Sequence, residues 1–226
     1  MNKKSHIHPQ LIVMLTWHDF TVDNAKQVFE QCKHSKAQYW GFKEHPLPFE
    51  QMKELYSSMK QCGKTTLLEV VAYSEREGLE GAKMAAACQC DILMGTKFYD
   101  SINDYCRDHG IKYMPFVGNV QGRPSVLKGT VQGMIAQAQD YIARGAYGID
   151  LLGYRYAGDA AALNKALVAA INAPVCLAGS IDSYQRLDEV LDANPWAFTI
   201  GSAFFENKFD GTFLEQVNKV CDYMSK

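Results

Sequence analysis

The sequence alternates short apolar segments with longer segments of helical periodicity, and it does so eight times. The short segments are rich in aliphatic, β-branched and aromatic residues, as strands buried on both faces are. Their first residues are 21 to 36 residues apart, close to the ~30 residues of one strand–helix–strand unit. The predicted strands are Leu11 to Trp17, Tyr39 to His45, Thr65 to Val71, Asp91 to Lys97, Lys112 to Gly118, Gly148 to Tyr154, Pro174 to Ile181 and Ala197 to Phe205. Because strands that alternate with helices pair in parallel, this repeat indicates an α/β fold.

Eight strand–helix units in 226 residues predict a closed (β/α)8 barrel, the TIM-barrel fold. We expect one domain over residues 1–226, with residues 1–10 as an N-terminal extension. An open doubly wound sheet is the alternative, and it normally has a glycine-rich phosphate loop after its first strand. The turn after the first predicted strand, TWHDFTVDN, contains no glycine. The closed barrel is therefore favoured.

Charge, hydropathy and cysteine content indicate which classes of partner and which cellular location to expect. The chain has 23 basic and 25 acidic side chains, without the basic stripe typical of a nucleic-acid-binding domain. No apolar run approaches the ~18 residues of a membrane span, and the N-terminus lacks a signal-peptide core. The seven cysteines are odd in number and scattered, which favours reduced thiols and a cytoplasmic location. Cys88 and Cys90, the only close cysteine pair, have one intervening residue and not the two typical of zinc or redox motifs. We predict no metal and no cofactor, and the sequence leaves open whether a divalent metal is required.

Four charged residues interrupt strands that are otherwise apolar: Lys43, Glu69, Lys97 and Asp150. Barrel enzymes carry their chemistry at the carboxyl ends of the strands, where these residues lie. Strand alternation places Lys43 on the face of Gly41, and Lys97 on the face of Gly95, so that small residues leave room for a cavity. We expect Lys97 to share this cavity with Glu69, and Asp150, the deepest of the four in its strand, to be structural.

Glycine and serine end the last two predicted strands. Strand seven ends in AGSIDS (178–183) and strand eight in IGSAFF (200–205). Glycines there allow backbone amides to approach a ligand, and a short helix after strand eight would add its N-terminal dipole. The predicted phosphate-binding residues are Gly179, Ser180, Gly201 and Ser202.

These two motifs resemble those of the ribulose-phosphate-binding and histidine-biosynthesis barrels. The resemblance implies a phosphorylated small-molecule substrate and a superfamily of epimerases, isomerases, aldolases and decarboxylases. The third strand, LLEVVAYSE, lacks the Asp-x-Lys-x-x-Asp motif of sugar-phosphate decarboxylases. The sixth, GIDLLGYR, lacks the lysine of deoxyribose-phosphate aldolase. The reaction is therefore left open.

Three further regions supply candidate substrate contacts. The loop at 119–130, which contains Asn119 and Arg123, is long enough to serve as a lid over an anionic ligand. Arg155, between two tyrosines, suits a carboxylate or a second phosphate. His18 and His45 each lie near the end of a strand, where imidazole suits proton transfer.

Two functions compete. In the first, the chain is a lyase or isomerase for a phosphorylated sugar-like metabolite, with Glu69 or a histidine as the base. Lys97 or Lys43 would stabilise an enediolate, or attack the carbonyl as an amine. In the second, the barrel binds a phosphometabolite without turnover, as a sensor or as a subunit of an assembly. Interior charges argue against a purely structural barrel, and a homo-oligomer is compatible with either function.

Overall fold

Eight parallel strands form the central sheet in the computed structural model, which describes residues 8–226. They are β1 (Gln10–Met14), β2 (Tyr39–Lys43), β3 (Thr65–Val70), β4 (Ile92–Gly95), β5 (Lys112–Met114), β6 (Ile149–Leu151), β7 (Val175–Leu177) and β8 (Ala197–Ile200). Their order is β6-β7-β8-β1-β2-β3-β4-β5, and a parallel bridge between Phe116 and Asp150 closes the sheet between β5 and β6. The predicted (β/α)8 barrel is confirmed. Most of the predicted N-terminal extension, residues 1–7, lies outside the described residues, and Gln10 already belongs to β1.

Helices follow the strands and cover the outside of the barrel. They are α1 (Ala25–Cys32), α2 (Phe49–Gln61), α3 (Glu75–Ala87), α4 (Asp100–Asp108), α5 (Val131–Ala143), α6 (Ala160–Ala170), α7 (Tyr184–Ala193), α8 (Ser202–Phe205) and α9 (Phe213–Met224). The helix ends follow from local chemistry. Thr212 and Glu215 form a reciprocal capping box at the start of α9. Gly63, two residues after the last residue of α2, has a positive φ of 73°, which glycine adopts readily at a helix C-terminus. Within the described part of the chain, no helix has both the length and the apolar character that a bilayer crossing requires.

Apolar residues fill the barrel from its amino end to its middle. The interior cluster contains Ile12, Met14, Leu67, Ile92, Met94, Met114, Cys176, Trp196 and Ala197. At the amino end, the Trp196 ring packs edge-on against Tyr39 and Tyr147, at centroid distances of 5.4 and 6.4 Å. A second, larger core lies between the strands and the helices. The barrel is therefore packed with apolar and aromatic side chains at its amino end.

Several strands end earlier than predicted, because the chain turns as soon as it leaves the barrel. Thr16–Trp17 pairs with Phe20–Thr21 in a short hairpin instead of extending β1. Residues Ser202–Phe205, predicted as the end of the eighth strand, form α8. The predicted lid loop contains a hairpin of Asn119–Gln121 and Val126–Lys128. These tight turns place side chains over the carboxyl end of the barrel.

The cysteines are all free, and five of the seven are buried. Burial raises the pKa of the Cys32 and Cys88 thiols to about 11. These thiols therefore pack as small apolar groups rather than as nucleophiles.

Candidate active site at the carboxyl end of the barrel

A buried lysine on β2 lies between two carboxylates. Lys43 and Glu69 occupy the same register position on the neighbouring strands β2 and β3, and Lys43 Nζ lies 3.4 Å from Glu69 Oε1. The same Nζ donates to Asp19 Oδ1 at 2.9 Å. The Lys43 side chain is only 7% exposed. Gly41 is needed beneath it, since a Cβ there would lie 2.7 Å from the Leu67 carbonyl oxygen.

The hairpin after β1 brings Asp19 to this lysine. His18 and Asp19 form its turn, with positive φ values of 47° and 70°. Thr21 fixes the hairpin to β2, because its Oγ1 donates to the Lys43 carbonyl at 2.7 Å and accepts from the Lys43 amide at 2.9 Å. Arg155 holds Asp19 from the other side with two hydrogen bonds of 3.0 and 2.9 Å. Such paired contacts are the geometry for which arginine is best suited.

These contacts keep the cluster charged. Burial alone would raise the pKa of the Asp19 carboxyl, but Arg155 and Lys43 outweigh it and hold this pKa well below its ordinary value. Burial also opposes the charge on Lys43, yet Glu69 and Asp19 together raise the pKa of its ammonium. Lys43 is therefore a stable cation inside the barrel and not a neutral amine.

Asp150 on β6 is the deepest charged residue of the sequence pattern, as expected. It is completely buried, and neither carboxyl oxygen has a hydrogen-bond partner among the described residues. Burial and then the charge of Glu69 raise its pKa well above the ordinary value, and Lys43 opposes them only partly. Burial and the charge of Glu69 therefore both favour the protonated, neutral form of the Asp150 carboxyl.

A cavity of about 200 Å³ opens above this pair. Its lining includes Asp19, Lys43, Glu69, Ser125, Arg155, Gly179, Ser180, Gly201 and Ser202. The four residues predicted to bind phosphate thus lie in one cavity with Lys43, Glu69 and Arg155.

The two glycine–serine turns lie close to their neighbours. A Cβ at Gly179 would lie 2.7 Å from Arg155 Cγ, and one at Gly201 would lie 2.9 Å from the Thr16 carbonyl oxygen. Ser202 begins α8, so its backbone amide has no acceptor within the helix. The Ser202 hydroxyl accepts a hydrogen bond of 3.1 Å from the His18 backbone amide. Only glycine fits at 179 and 201 without displacing a neighbour.

Lys97 lies elsewhere, which corrects the expectation that it shares a cavity with Glu69. The β4 residue in register with Glu69 is Met94, which belongs to the interior cluster. Lys97 follows three positions later and is exposed, with its Nζ 5.8 Å from the centroid of the Tyr73 ring. It lines a different cavity. Lys97 lies three residues after the inward-facing Met94, and in a strand an odd separation places two side chains on opposite faces. The chain also departs from strand geometry at Gly95, whose φ is 81°.

The histidines lie at the rim. His18 and His45 are both exposed, and neither lines the central cavity. The His18 ring lies 4.7 Å from the Trp17 ring, measured between centroids, and the His45 backbone carbonyl accepts a hydrogen bond from the Thr21 amide at 2.9 Å. A role in proton transfer stays a prediction for both.

The predicted lid is anchored through Arg123. Its Nη2 donates to Glu44 Oε1 at 2.6 Å, and the Glu44 side chain is only 9% exposed. The same hairpin brings Ser125 to the cavity lining, whereas Asn119, at its base, is exposed and lines the cavity of Lys97.

Sequence reasoning missed two carboxylates of this region, Asp19 and Glu44. An aspartate in the turn directly after β1 was the available indication for Asp19, because such residues tolerate positive φ. Within residues 8–226, no group of three histidine, cysteine, aspartate or glutamate side chains has an arrangement that could hold a metal ion.

Comparisons with known proteins place the fold. Neither the models of protein families nor the curated proteins gave a match. Among solved structures, orotidine 5′-phosphate decarboxylase from Pyrococcus horikoshii OT3 has a TM-score of 0.70 at 10% identity, covering 96% of this chain and 100% of that one. N-(5′-phosphoribosyl)anthranilate isomerase from Pyrococcus furiosus has 0.66 at 11%, covering 95% and 99%. N-acetylmannosamine-6-phosphate 2-epimerase from Clostridium perfringens has 0.64 at 13%, covering 98% and 97%. The chain is thus a TIM barrel whose structural neighbours include enzymes named for phosphorylated compounds.

Proposed function

We propose that this protein is an enzyme that moves a proton next to the carbonyl of a phosphorylated sugar-like metabolite. The observation that carries the proposal is the buried Lys43–Glu69 pair at 3.4 Å, inside a cavity that also contains the Gly179–Ser180 and Gly201–Ser202 turns. One wall of this cavity supplies acid–base chemistry and the other supplies backbone groups for an anion.

The roles of the pair follow from its charges. The Glu69 carboxylate would take a proton from the carbon next to the carbonyl, and the C–H electrons would move onto the carbonyl oxygen. The Lys43 ammonium lies beside Glu69 and would stabilise the enediolate oxygen, since a fixed cation in a water-poor site stabilises developing negative charge strongly. Return of the proton completes an isomerisation or an epimerisation. The raised pKa of Lys43 disfavours the neutral amine that an imine mechanism needs.

The phosphate group would lie against the two turns. Ser202 begins a helix, and glycine at 179 and 201 keeps side chains away from the approach. Asp182 and Glu206 also line the cavity, but each lies within ion-pair distance of a cation, Arg186 at 3.9 Å and Lys208 at 3.8 Å. These neighbours reduce the repulsion that a phosphate would meet.

Deuterium incorporation tests the proposal directly. Phosphorylated aldoses and ketoses are incubated with the protein in D₂O, and exchange of the proton next to the carbonyl is followed by NMR. We expect exchange with at least one of them, its loss by a factor of 10² or more in Glu69→Gln and Lys43→Met, and its retention in the matched variant Lys97→Met. Circular dichroism confirms that each variant is folded.

Borohydride trapping separates the two lysines. Reduction in the presence of substrate should leave no adduct on Lys43, whereas an adduct on Lys97 would establish the imine role, one of the two roles that the sequence leaves open for this lysine. The proposed activity would be contradicted if a phosphorylated ligand bound without any deuterium exchange and bound equally well to Glu69→Gln. That result would favour the non-catalytic metabolite-binding barrel.

A further inference from the structure

A second cavity of about 450 Å³ lies beside α5, at the ends of β4 and β5. We propose that it is a separate binding site for a small anion with an apolar body, such as an aromatic carboxylate or sulfonate. Its volume falls in the range of about 300–1,000 Å³ found for small-molecule sites. It is lined by Lys97, Phe98, Tyr99, Phe116, Gly118, Asn119, Gly129, Thr130, Gly133, Met134, Gln137 and Tyr141. No member of this set lines the central cavity.

The charge of this cavity has one sign. Lys97 is the only charged residue of the lining, which contains no aspartate or glutamate. The ion pairs of the described part of the chain do not include Lys97, whose ammonium instead lies near the face of the Tyr73 ring. The first turn of α5 also carries no acidic residue. The electrostatic preference is therefore for an anion.

Part of the lining is apolar and held in place by packing. Phe98, Phe116 and Met134 are buried. The Phe98 ring is stacked on Tyr141 with centroids 4.4 Å apart, and the Arg144 guanidinium lies 4.4 Å from the centroid of Phe98. Glycines at 118, 129 and 133 contribute only backbone atoms to the lining. A fixed aromatic wall next to a lysine suits a ligand with an apolar body and one anionic group.

This site differs in chemistry from the central one. In the central cavity Lys43 and Arg155 already pair with Asp19, whereas Lys97 has no carboxylate partner within the described residues. The second cavity also contacts both ends of the lid hairpin, through Asn119 on one side and Gly129 and Thr130 on the other. A ligand there would touch the base of the hairpin that carries Arg123.

The probe is 8-anilinonaphthalene-1-sulfonate, a fluorescent anion with an aromatic body, titrated into the protein. We expect one binding event whose Kd rises about tenfold or more in Lys97→Met, since the variant loses a charge-assisted hydrogen bond to the anionic group. The matched control is Lys112→Met. Lys112 is also exposed and also lies near a tyrosine ring, at 5.0 Å from the Tyr147 centroid, but it is outside both cavities.

Two further measurements separate this proposal from the proposed function. Saturating inorganic phosphate should leave the Kd of the probe unchanged, since the phosphate is expected in the central cavity. Gly133→Leu keeps Lys97 and reduces the space, so it should weaken the probe while circular dichroism stays unchanged. An unaltered Kd in both Lys97→Met and Gly133→Leu, or displacement of the probe by phosphate, would overturn the second site. Neither outcome bears on deuterium exchange at Glu69.

Discussion

Replacing Asp150 with asparagine should make the free energy of unfolding less dependent on pH. Asp150 is a buried carboxyl without a hydrogen-bond partner among the described residues, and burial with the charge of Glu69 raises its pKa well above the ordinary value. In the unfolded chain the pKa of an aspartate is about 3.9. Between these two pKa values the folded protein therefore holds a proton that the unfolded chain releases.

The size of the effect follows from this one proton. Because the folded state binds it and the unfolded state does not, the contribution of Asp150 to the free energy of unfolding falls by about 1.4 kcal/mol for each pH unit between its unfolded and its folded pKa. The contribution of Asp150 is complete below its unfolded pKa and is lost as the pH rises through its folded pKa. Asp19 acts in the opposite range. Its pKa is lowered, so the stability that it contributes is present above pH ~4 and is lost in acid.

Denaturant unfolding at pH 4.5 to 8, followed by circular dichroism, measures the difference. Asp150→Asn keeps the volume and removes the titration, so the gap in stability between variant and parent should change in favour of the variant as the pH rises from 4.5 towards the folded pKa of Asp150. Asp108→Asn, whose side chain is 67% exposed, is the control and should give a curve parallel to the parent. If the free energy of unfolding of Asp150→Asn and that of the parent changed in parallel with pH across this range, the raised pKa of Asp150 would be refuted.

Three other substitutions test the lid anchor, the phosphate-binding turn and a helix cap. Arg123→Ala should cost about 1–3 kcal/mol of stability in thermal unfolding, because it leaves the buried Glu44 carboxylate without its 2.6 Å partner; a change only in KM would show that this pair is not structural. Gly201→Ala should weaken phosphate binding about tenfold or more in calorimetry, since its Cβ would press on Thr16 and alter the turn; equal affinity would place the phosphate elsewhere. Thr212→Ala should lower stability by about 1 kcal/mol through loss of the α9 cap, and an unchanged denaturation midpoint would contradict that contribution.

The fold could be predicted from the sequence because a repeated pattern specifies it. Eight apolar segments at regular spacing leave few alternatives to a closed parallel barrel, and the glycine–serine turns at 179 and 201 could be assigned to one end of it. The direction of Lys97 could not be predicted in the same way. β4 is buried on both faces, so Ile92, Leu93 and Met94 do not reveal which of them faces the interior.

Asp19 illustrates a different limit. Its contacts with Lys43 and Arg155 join residues 24 and 136 positions away along the chain. They depend on a two-residue turn with positive φ at both positions, and that turn is held by the Thr21 contact to β2. A local pattern can suggest the turn, but only the closed barrel brings β2 and the segment after β6 to it.

The Asp19 hairpin would make the binding of an anion at this end of the barrel an exchange of counter-ions. An anion that reaches Lys43 or Arg155 meets two cations that already share the Asp19 carboxylate. Because that carboxylate belongs to the same chain, its effective concentration at the cations is high, and a weak monovalent anion from solution competes poorly with it. A ligand with more charge or more acceptor atoms can replace it, and the released carboxylate would then move together with the hairpin that carries it. The strength of the Asp19 contacts with Lys43 and Arg155 would therefore determine which anions can bind at this site.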